Sequence, residues 1–266
     1  MSIHQTIANL EASGEAAVFC MIVDTKGSTP RHEGSKMIVF QDGHIMGTVG
    51  GGEIENRVIE EALDALKTRK TKLLHYSLVS TEKGDPGICG GQVEVYVEPI
   101  IPKITVLVIG AGHVGKQVTH LAKWLGYRVI VSDDRGELCS PEAMPGADEY
   151  VVCPMAEVPQ KIKITPYTYV VITTRGSDVD IEGLPAILET DYAYLGVIGS
   201  QKRWLNTQSE VNKKKDYTQK FQGVHSPIGI ELNVETPEEI ALSILAEILM
   251  VANKANGSSM SRNKGK

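Results

Sequence analysis

The stretch Ile104-Thr-Val-Leu-Val-Ile-Gly-Ala-Gly-His-Val-Gly115 decides the fold of the second half of the chain. It begins with an apolar run of the kind that is buried on both faces of a parallel sheet. The spacing G-x-G-x-x-G follows, where the first glycine allows a tight turn, the second lets a pyrophosphate approach the backbone, and the third lets helix and strand pack closely. The stretch therefore predicts a dinucleotide-binding unit of the Rossmann type, with Gly110, Gly112 and Gly115 at the ligand.

An acidic residue stands where such a unit contacts ribose. Asp133 ends the next predicted strand, 23 residues after Gly110, and Asp134 is the second candidate for accepting hydrogen bonds from ribose hydroxyls. His113 lies inside the glycine loop, and we expect its side chain to point outwards. The loop also approaches a P-loop, but Gln117 replaces the magnesium-binding Ser or Thr, which excludes an NTPase. A Rossmann fold without a ligand stays open as the alternative.

The predicted secondary structure differs on the two sides of this glycine-rich stretch. Towards the C-terminus, apolar strands alternate with helices, and Thr236-Pro-Glu-Glu239 predicts the start of a last helix through a capping box. Towards the N-terminus, the hairpin signal Asp42-Gly43 joins two apolar segments as antiparallel strands. Apolar residues at helical spacing then follow the glycines at 50–52. Pro99 and Pro102 bracket a predicted linker between the two regions.

This pattern predicts an α/β protein in which a smaller α+β domain precedes a Rossmann-like, doubly wound parallel sheet. The α+β domain is expected at 1–102, the Rossmann-like domain at 103–253 and a flexible polar tail at 254–266. The chain is long enough for about two domains with separate cores.

Composition argues against several classes of partner. Apolar residues make up 42% of the chain and charged residues 23%, as in ordinary soluble proteins. The formal net charge of −6 argues against nucleic acid and membrane surfaces as partners, because phosphate-rich partners favour basic surfaces. The four cysteines include no C-x-x-C pair, which predicts a reducing, cytoplasmic location rather than a disulfide framework or a zinc site.

Three further glycine-rich segments lie in the first hundred residues. They are Gly27-Ser-Thr-Pro-Arg31, Gly47-Thr-Val-Gly-Gly-Gly-Glu53 and Cys89-Gly-Gly91. The amides of Gly50 to Gly52 precede a predicted helix, where unblocked N–H groups and the helix dipole favour an anion, and Arg31 can add a bidentate guanidinium. Cys89 beside two glycines predicts an accessible thiol. The alternative is three ordinary tight turns with a packed cysteine.

These segments and those of the second half resemble the XdhC/CoxI family, the maturation factors of xanthine dehydrogenase and related molybdenum hydroxylases. The resemblance covers nearly the whole chain and depends on the order of several rare motifs rather than on any one of them. In the second half the family-like motifs are Ile109-Gly-Ala-Gly-His-Val-Gly115, Ser132-Asp-Asp-Arg135, Gly196-Val-Ile-Gly-Ser200, His225-Ser-Pro-Ile-Gly229 and Thr236-Pro-Glu-Glu-Ile-Ala241.

The resemblance implies a protein that binds molybdenum cofactor, as molybdopterin or its cytosine dinucleotide. Such a protein protects the cofactor while a cysteine desulfurase supplies its terminal sulfur, and then delivers it to a molybdenum hydroxylase apoenzyme. No catalytic residue is implied, and Cys89 is the expected molybdenum contact, as a ligand or a transient sulfur carrier. The predicted cofactor-binding residues are Arg31, Gly50, Gly51, Gly52, Glu53, Cys89, Gly110, Gly112, His113, Gly115, Asp133, Ser200 and Lys202.

Two positions in the second half qualify this interpretation. Ser200-Gln-Lys-Arg203 begins a predicted helix whose N–H groups, with Lys202 or Arg203, can meet a phosphate; the alternative is a solvated basic helix start. Many relatives carry Thr-His after the strand that ends near Thr173, whereas this chain continues with Thr174-Arg175. Arg175 can replace that histidine as an anion contact.

Two other functions stay open. An NAD(P)-dependent oxidoreductase would use the Rossmann domain, with Asp133 favouring NAD because a carboxylate repels a 2′-phosphate. The chain lacks the motifs Y-x-x-x-K, H-E-x-x-H and G-x-S-x-G, so no catalytic group accompanies that interpretation. A scaffold would dock the desulfurase to the hydroxylase without holding cofactor. A homodimer is the base-rate expectation for a cytoplasmic protein.

Overall fold

The computed structural model describes residues 2–77 and 91–263, and the chain divides into two compact units, Met1–Pro102 and Lys103–Lys266. The segment 78–90 lies outside the described residues. Cys89, the predicted molybdenum contact, belongs to that segment, so its predicted role stays a prediction.

The first unit is a five-stranded antiparallel sheet with a helix on each face. Its elements are α1 (Ile3–Ser13), β1 (Ala17–Lys26), β2 (Lys36–Phe40), β3 (Ile45–Gly47), α2 (Gly52–Thr68), β4 (Lys72–Ser77) and β5 (Gln92–Ile100). The strands lie in the order β3-β2-β1-β5-β4. Because side chains alternate along a strand, Val18 packs towards Val58 of α2, whereas its neighbour Ala17 packs towards Leu10 of α1.

Both helices of this unit have clear ends. In α2, apolar residues at helical spacing place Val58, Ala62 and Ala65 in the core, as the sequence predicts. The sequence interpretation missed α1, although Ser2 caps its first turn and Gly14, in the left-handed region at φ 73°, ends it. The capped helix closes the face of the sheet opposite to α2.

The predicted linker between Pro99 and Pro102 is wrong at its first residue. Pro99 lies inside β5 and pairs with Val18 of β1, so the connection between the units begins later than the sequence suggests. Strand β4 pairs with β5 only as far as Val97. Beyond that residue β5 is an edge, where a residue without an N–H group is tolerated.

The second unit is a six-stranded, wholly parallel sheet covered by helices on both faces. Its elements are β6 (Thr105–Ile109), α3 (His113–Trp124), β7 (Arg128–Asp133), β8 (Glu149–Val152), α4 (Val158–Lys161), β9 (Thr168–Ile172), α5 (Ser177–Leu188), β10 (Tyr194–Val197), α6 (Gln201–Asn212), α7 (Thr218–Phe221), β11 (Val224–His225) and α8 (Pro237–Ala252). The strand order is β11-β10-β9-β6-β7-β8. This doubly wound order confirms the predicted fold class.

Strand β6 shows why its sequence is apolar throughout. Val106 and Val108 belong to the core under α3 and α8, whereas Leu107 and Ile109 belong to the core under α5 and α6. The strand order reverses between β6 and β9, and ligands of such sheets bind in the crevice outside the carboxyl ends at that point. The glycine loop between β6 and α3 stands at this crevice.

The last helix begins as its sequence predicts. Thr236 Oγ1 accepts a hydrogen bond from the Glu239 N–H at 3.3 Å, and Glu239 Oε2 accepts one from the Thr236 N–H at 3.2 Å. This capping box fixes the start of α8, which then buries Ala241, Ile244 and further apolar residues. In the part of the chain that the structure describes, no helix combines the length and the apolar character that crossing a bilayer demands.

Candidate functional site

Glycine-bearing loops of the first unit meet at one end of its sheet. Strands β1 and β3 run in the same direction and β5 in the opposite one, so β1 and β3 end where β5 starts. A Cβ built at Gly91 would collide with the Ser28 carbonyl oxygen, and one built at Gly50 would lie 4.0 Å from Pro30 Cγ. The structure therefore brings together the first two glycine segments and the end of the third.

Glu55 takes the amide donors that the sequence assigns to an anion. Its Oε2 accepts hydrogen bonds from Thr48 Oγ1, from the Val49 N–H at 3.2 Å and from the Gly51 N–H at 3.3 Å. The Gly50 N–H donates to Thr48 Oγ1 at 3.2 Å. The expectation of unblocked amides is therefore corrected for Gly50 and Gly51. The reason is that Glu55 lies in the first turn of α2, at the positive end of the helix dipole, and reaches back to the loop.

The outer side of this loop is open. Gly50, Gly51 and Gly52 adopt φ values of 145°, 75° and 63°, which only glycine adopts at little cost. Among the described atoms, none lies within 4 Å of a Cβ built at Gly51 or Gly52. These two glycines are thus required by backbone conformation and leave space for a neighbour.

Two charged side chains complete this end of the first unit. Arg31 is exposed, and within residues 2–77 and 91–263 its guanidinium has no ion-pair partner. Glu53 pairs with Arg57, one turn further along the exposed side of α2. Arg31 is therefore available to an anionic ligand, whereas Glu53 already neutralises a cation.

In the second unit the three glycines of the fingerprint have three different roles. Gly110 adopts φ 111°, and a Cβ there would lie 2.5 Å from the Thr173 carbonyl oxygen at the end of β9. A Cβ at Gly115 would collide with the Gly110 carbonyl oxygen. These contacts confirm the predicted tight turn and close packing. No described atom lies within 4 Å of a Cβ built at Gly112, and no side chain of the described residues caps α3. Exposed His113 follows at this bare helix start.

The Asp133 carboxylate is fully used inside the protein. Its Oδ2 accepts the Ala111 N–H at 2.7 Å and Arg135 Nη2 at 2.9 Å. Its Oδ1 accepts the Arg135 N–H at 3.0 Å and Nε at 2.8 Å. An ionised carboxylate offers about four acceptor positions, so these four donors leave none for a ribose. The structure departs here from the sequence expectation, because Asp133 fastens the glycine loop to β7.

A cleft opens beside the loop, at the carboxyl ends of β6 to β9. It is open to solvent and has a cavity volume of about 90 Å³, which is smaller than a pocket that encloses a whole drug-sized ligand. Its lining combines apolar groups, among them Ile109, Met155 and Val179, with five charged residues, which are Asp133, Asp134, Arg135, Arg175 and Glu182. An apolar surface beside charged groups suits a partly polar ligand.

Asp134 and Arg175 join two of the loops that line the cleft. Arg175 donates from Nη1 and Nη2 to the two Asp134 oxygens at 2.7 and 2.9 Å. These hydrogen bonds lower the pKa of Asp134 to about 2, so the carboxylate is ionised at neutral pH. Asp134 is 37% exposed and Arg175 is 49% exposed, whereas the Asp133 side chain is 3% exposed. The anion contact predicted at Arg175 therefore has an internal carboxylate partner.

The start of α6 also differs from its predicted role. Ser200 Oγ accepts the Arg203 N–H at 3.3 Å and so caps its own helix, and Lys202 is exposed. Arg203 instead donates from Nη2 to Asp180 Oδ2 at 2.5 Å and to Thr174 Oγ1 at 3.1 Å. Burial raises the pKa of Asp180, against the hydrogen bonds from Thr174 and Arg203, which lower it. The sequence does not predict this cluster of Arg203, Asp180 and Thr174, because Asp180 and Arg203 lie 23 residues apart.

A second buried carboxylate braces β10 and β11. Glu247 of α8 accepts hydrogen bonds from the Tyr194 hydroxyl at 2.5 Å, from His225 Nδ1 at 2.9 Å and from the Gly229 N–H at 2.8 Å. Burial raises the pKa of Glu247, but these three hydrogen bonds together outweigh burial, and its pKa lies below the ordinary value. His225 therefore has a structural partner.

The described residues hold no side-chain cage for a metal. Across 2–77 and 91–263, His, Cys, Asp and Glu side chains nowhere form a group of three or more arranged for a metal ion. Cys20, Cys139 and Cys153 are buried, and burial raises the pKa of Cys20 to about 12. A thiol of that kind is a poor metal ligand, because the thiolate is the binding form.

The sheet order, the glycine loop and the crevice at the strand reversal define a Rossmann-fold protein with a smaller α+β unit before it. The chain belongs to the XdhC family. The family model described as the XdhC Rossmann domain matches residues 106–248, and the model described as the XdhC and CoxI family matches residues 10–77. The resemblance inferred from the sequence motifs is thereby confirmed.

Several known proteins are similar to this chain. The uncharacterised protein YqeB of Escherichia coli is 34% identical over 98% of this chain and 48% of its own length. The molybdenum cofactor insertion chaperone PaoD of Escherichia coli is 23% identical over 93% of this chain and 88% of PaoD. A Bacillus subtilis protein named as a probable subunit of xanthine dehydrogenase is 26% identical over 60% of this chain and 46% of its own length. This chain thus spans about half the length of the first and the last of these relatives.

A solved structure supports the fold. The crystal structure of a xanthine dehydrogenase from Bacillus halodurans matches with a TM-score of 0.52 and 22% identity, over 98% of both chains. At this identity the likeness concerns the fold alone.

Proposed function

We propose that this chain binds molybdenum cofactor, holds it while its terminal sulfur is installed, and delivers it to xanthine dehydrogenase or a related molybdenum hydroxylase. Family membership and the nearly full-length similarity to a cofactor insertion chaperone support this proposal. The observation that carries it is the meeting of glycine-bearing loops at one end of the first sheet, where Arg31 has no ion-pair partner among the described residues. Since Glu55 already accepts the Val49 and Gly51 amides, the attraction for an anionic group comes from Arg31, and the glycines supply space that a side chain would obstruct.

The described residues fit the organic part of such a cofactor better than its metal. Molybdenum cofactor is a pterin with a dithiolene, a phosphate and an oxo-metal head. Arg31, which no described carboxylate pairs with, offers its guanidinium for the phosphate, and Gly51 and Gly52 leave room for a flat ring system. The described side chains form no metal cage. The residues of this chain therefore bind and orient the pterin and its phosphate, and the dithiolene supplies the bonds to the metal.

The test is the cofactor content of the purified protein. The chain is expressed in cells that make molybdenum cofactor, purified and oxidised, and its pterin fluorescence is measured. Near-stoichiometric pterin supports the proposal, and its absence in cells with an active pathway contradicts it. The variant Arg31→Ala should lose most of the pterin, whereas Lys70→Ala, which removes another exposed cation of the same unit, should retain it.

The molybdenum-to-pterin ratio tests Cys89. If this cysteine is the group nearest molybdenum, Cys89→Ala lowers the molybdenum retained per pterin and leaves the unfolding temperature unchanged. Equal ratios in the variant and the parent protein would remove Cys89 from the site. A desulfurase and an apo-hydroxylase are the proposed partners, and co-purification with and without bound pterin tests both. Light scattering of the purified chain tests the proposed homodimer.

A second candidate is an NAD(P)-dependent oxidoreductase, which the cleft at the carboxyl ends of β6 to β9 favours. Purified protein that retains NAD(H) and no pterin would support this candidate. Protein that retains neither ligand would support a scaffold that docks the desulfurase to the hydroxylase.

A further inference from the structure

The two adjacent carboxylates after β7 differ in the acceptor capacity that they leave for a ligand. Four donors from Ala111 and Arg135 surround Asp133, which uses all of its about four acceptor positions. Among the described residues, Asp134 accepts two hydrogen bonds, both from Arg175, and Arg135 Nε lies 3.8 Å from its Oδ1, so about two of its positions are free. Two free acceptors on one carboxylate match the paired hydroxyls of a ribose.

Asp134 is also the more exposed of the two adjacent carboxylates, although Asp133 lines the same cleft. Asp134 lines the cleft beside Gly110, and 37% of its side chain is exposed. Arg175 holds both oxygens from one side in a bidentate pair, which fixes the orientation of the carboxylate before a ligand arrives. A preoriented, ionised acceptor in a cleft binds hydroxyls more strongly than a mobile one, because less side-chain entropy is lost.

We propose that the cleft binds the nucleoside part of a nucleoside diphosphate, and that Asp134, rather than Asp133, accepts the hydrogen bonds of its 2′- and 3′-hydroxyls. The diphosphate then lies at the uncapped start of α3, where Gly112 leaves the backbone open. The apolar part of the cleft, which includes Ile109 and Val179, faces the base. Arg175 is a positioning residue, since it acts through Asp134.

This inference goes beyond the proposed function, which assigns no ligand to the glycine loop at 110–115. The nucleoside diphosphate can come from a cytosine dinucleotide form of the pterin cofactor or from an adenine dinucleotide. Both carry the same ribose diol, and CDP and ADP serve as the two probes that separate them.

The test compares each ribonucleotide with its 2′-deoxy counterpart by titration calorimetry on the full chain without bound pterin. A hydroxyl bonded to an ionised carboxylate contributes about a tenfold preference for the ribo form. We expect that preference in the parent protein and its loss in Asp134→Ala. Glu137→Gln, which alters an exposed carboxylate three residues further along, should keep it. The ratio of two affinities within one variant cancels general effects on charge or folding.

Three results overturn the inference. They are a parent protein that binds neither nucleotide, a parent protein that binds the ribo and deoxy forms equally, and an Asp134→Ala variant that keeps the preference. Pterin retention is measured on separate preparations of the same variants. Retained pterin without a ribose preference overturns this inference and leaves the proposed function standing. A ribose preference without pterin supports this inference and removes the proposed function.

Discussion

The loops at residues 48–52 and 110–115 each place three glycines directly before or within the start of a helix, but they use their backbone donors differently. In the first loop the Val49 and Gly51 amides already bind the Glu55 carboxylate. In the second, Gly112 lies at an uncapped helix start with open space beside it. A carboxylate also binds one amide of the second loop, since Ala111 donates to Asp133, but it leaves the start of α3 open. Glycine in such a loop can therefore serve backbone conformation, close packing or ligand access, and the surrounding contacts determine which.

The largest expected effect is on close packing in the second loop. Gly115→Ala places a methyl group against the Gly110 carbonyl oxygen and should destabilise the second unit by about 3 kcal/mol, as overpacking does. Urea unfolding followed by tryptophan fluorescence measures this loss, because both tryptophans lie in the second unit and Trp204 is buried. An unchanged midpoint would show that the loop moves aside freely.

The next largest loss of stability is expected when Glu55, which accepts hydrogen bonds from the first loop, is replaced. Glu55→Ala leaves the donors of Thr48, Val49 and Gly51 without their acceptor and should cost about 2 kcal/mol, the scale of hydrogen bonds to a charged group. Faster hydrogen exchange at the Val49 and Gly51 amides should accompany the loss. The control is Glu53→Ala, which removes an exposed pair with Arg57 and should cost about 0.5 kcal/mol. Equal effects of the two substitutions would contradict the role of Glu55.

Glu247, a buried carboxylate of the second unit, should make the stability of that unit depend on pH. Its three hydrogen bonds hold the pKa of Glu247 below the ordinary value. The stability that Glu247 contributes is therefore complete above the unfolded pKa of about 4.3 and is lost as pH falls through the lower folded pKa. Glu247→Gln should cost about 1.5 kcal/mol at neutral pH, with a difference that shrinks below about pH 4. A difference that is constant with pH would contradict this assignment.

A smaller effect concerns backbone conformation alone. Gly51→Ala meets no neighbouring atom of the described residues but must adopt φ 75° with ψ 178°, a region that only glycine adopts readily, which costs on the order of 1 kcal/mol for a residue with a Cβ. Thermal unfolding followed by far-UV circular dichroism measures it. A cost of several kcal/mol would indicate a packing role that the structure does not show.

The smallest effect on stability is expected at Gly112. This position best separates a role in ligand access from a role in stability. Its φ of −79° suits any residue, so Gly112→Ala should change stability by less than about 0.5 kcal/mol. The added methyl group occupies the open side of the loop and should weaken ADP or CDP binding at least about tenfold. Unimpaired binding by a stable variant would remove Gly112 from the ligand contact.

The sequence predicted those features that local patterns determine. An apolar run before G-x-G-x-x-G located β6 and α3, and the spacing of Thr236 and Glu239 located the start of α8, because each signal needs only neighbouring residues. The predicted domain linker began too early, at Pro99, because proline indicates the end of a strand. Whether a strand tolerates proline depends on where its neighbour, here β4, ends. That information lies elsewhere in the chain.

The candidate site was predictable in its location and less so in its chemistry. Glycine positions indicated which loops matter, but the partner of each donor depends on tertiary geometry. Glu55 was visible as an acid in the first turn of a predicted helix, a signal that could have indicated its bond to the loop. The pairing of Arg203 with Asp180 had no local signal. Asp133 and Asp134 are the same residue type, so the sequence does not distinguish them. Only the fold shows that the acceptor positions of Asp133 are occupied and that Asp134 has some left.

The Glu55 carboxylate has a further consequence in a cell rich in inorganic phosphate and sulfate. A small free anion that approaches the first loop meets donors that are already satisfied and a negative charge in their midst, so it gains little from binding there. A larger ligand can instead gain contacts over the surface around the loop. If the first loop binds the cofactor as proposed, Glu55 therefore disfavours competition from free phosphate and sulfate ions.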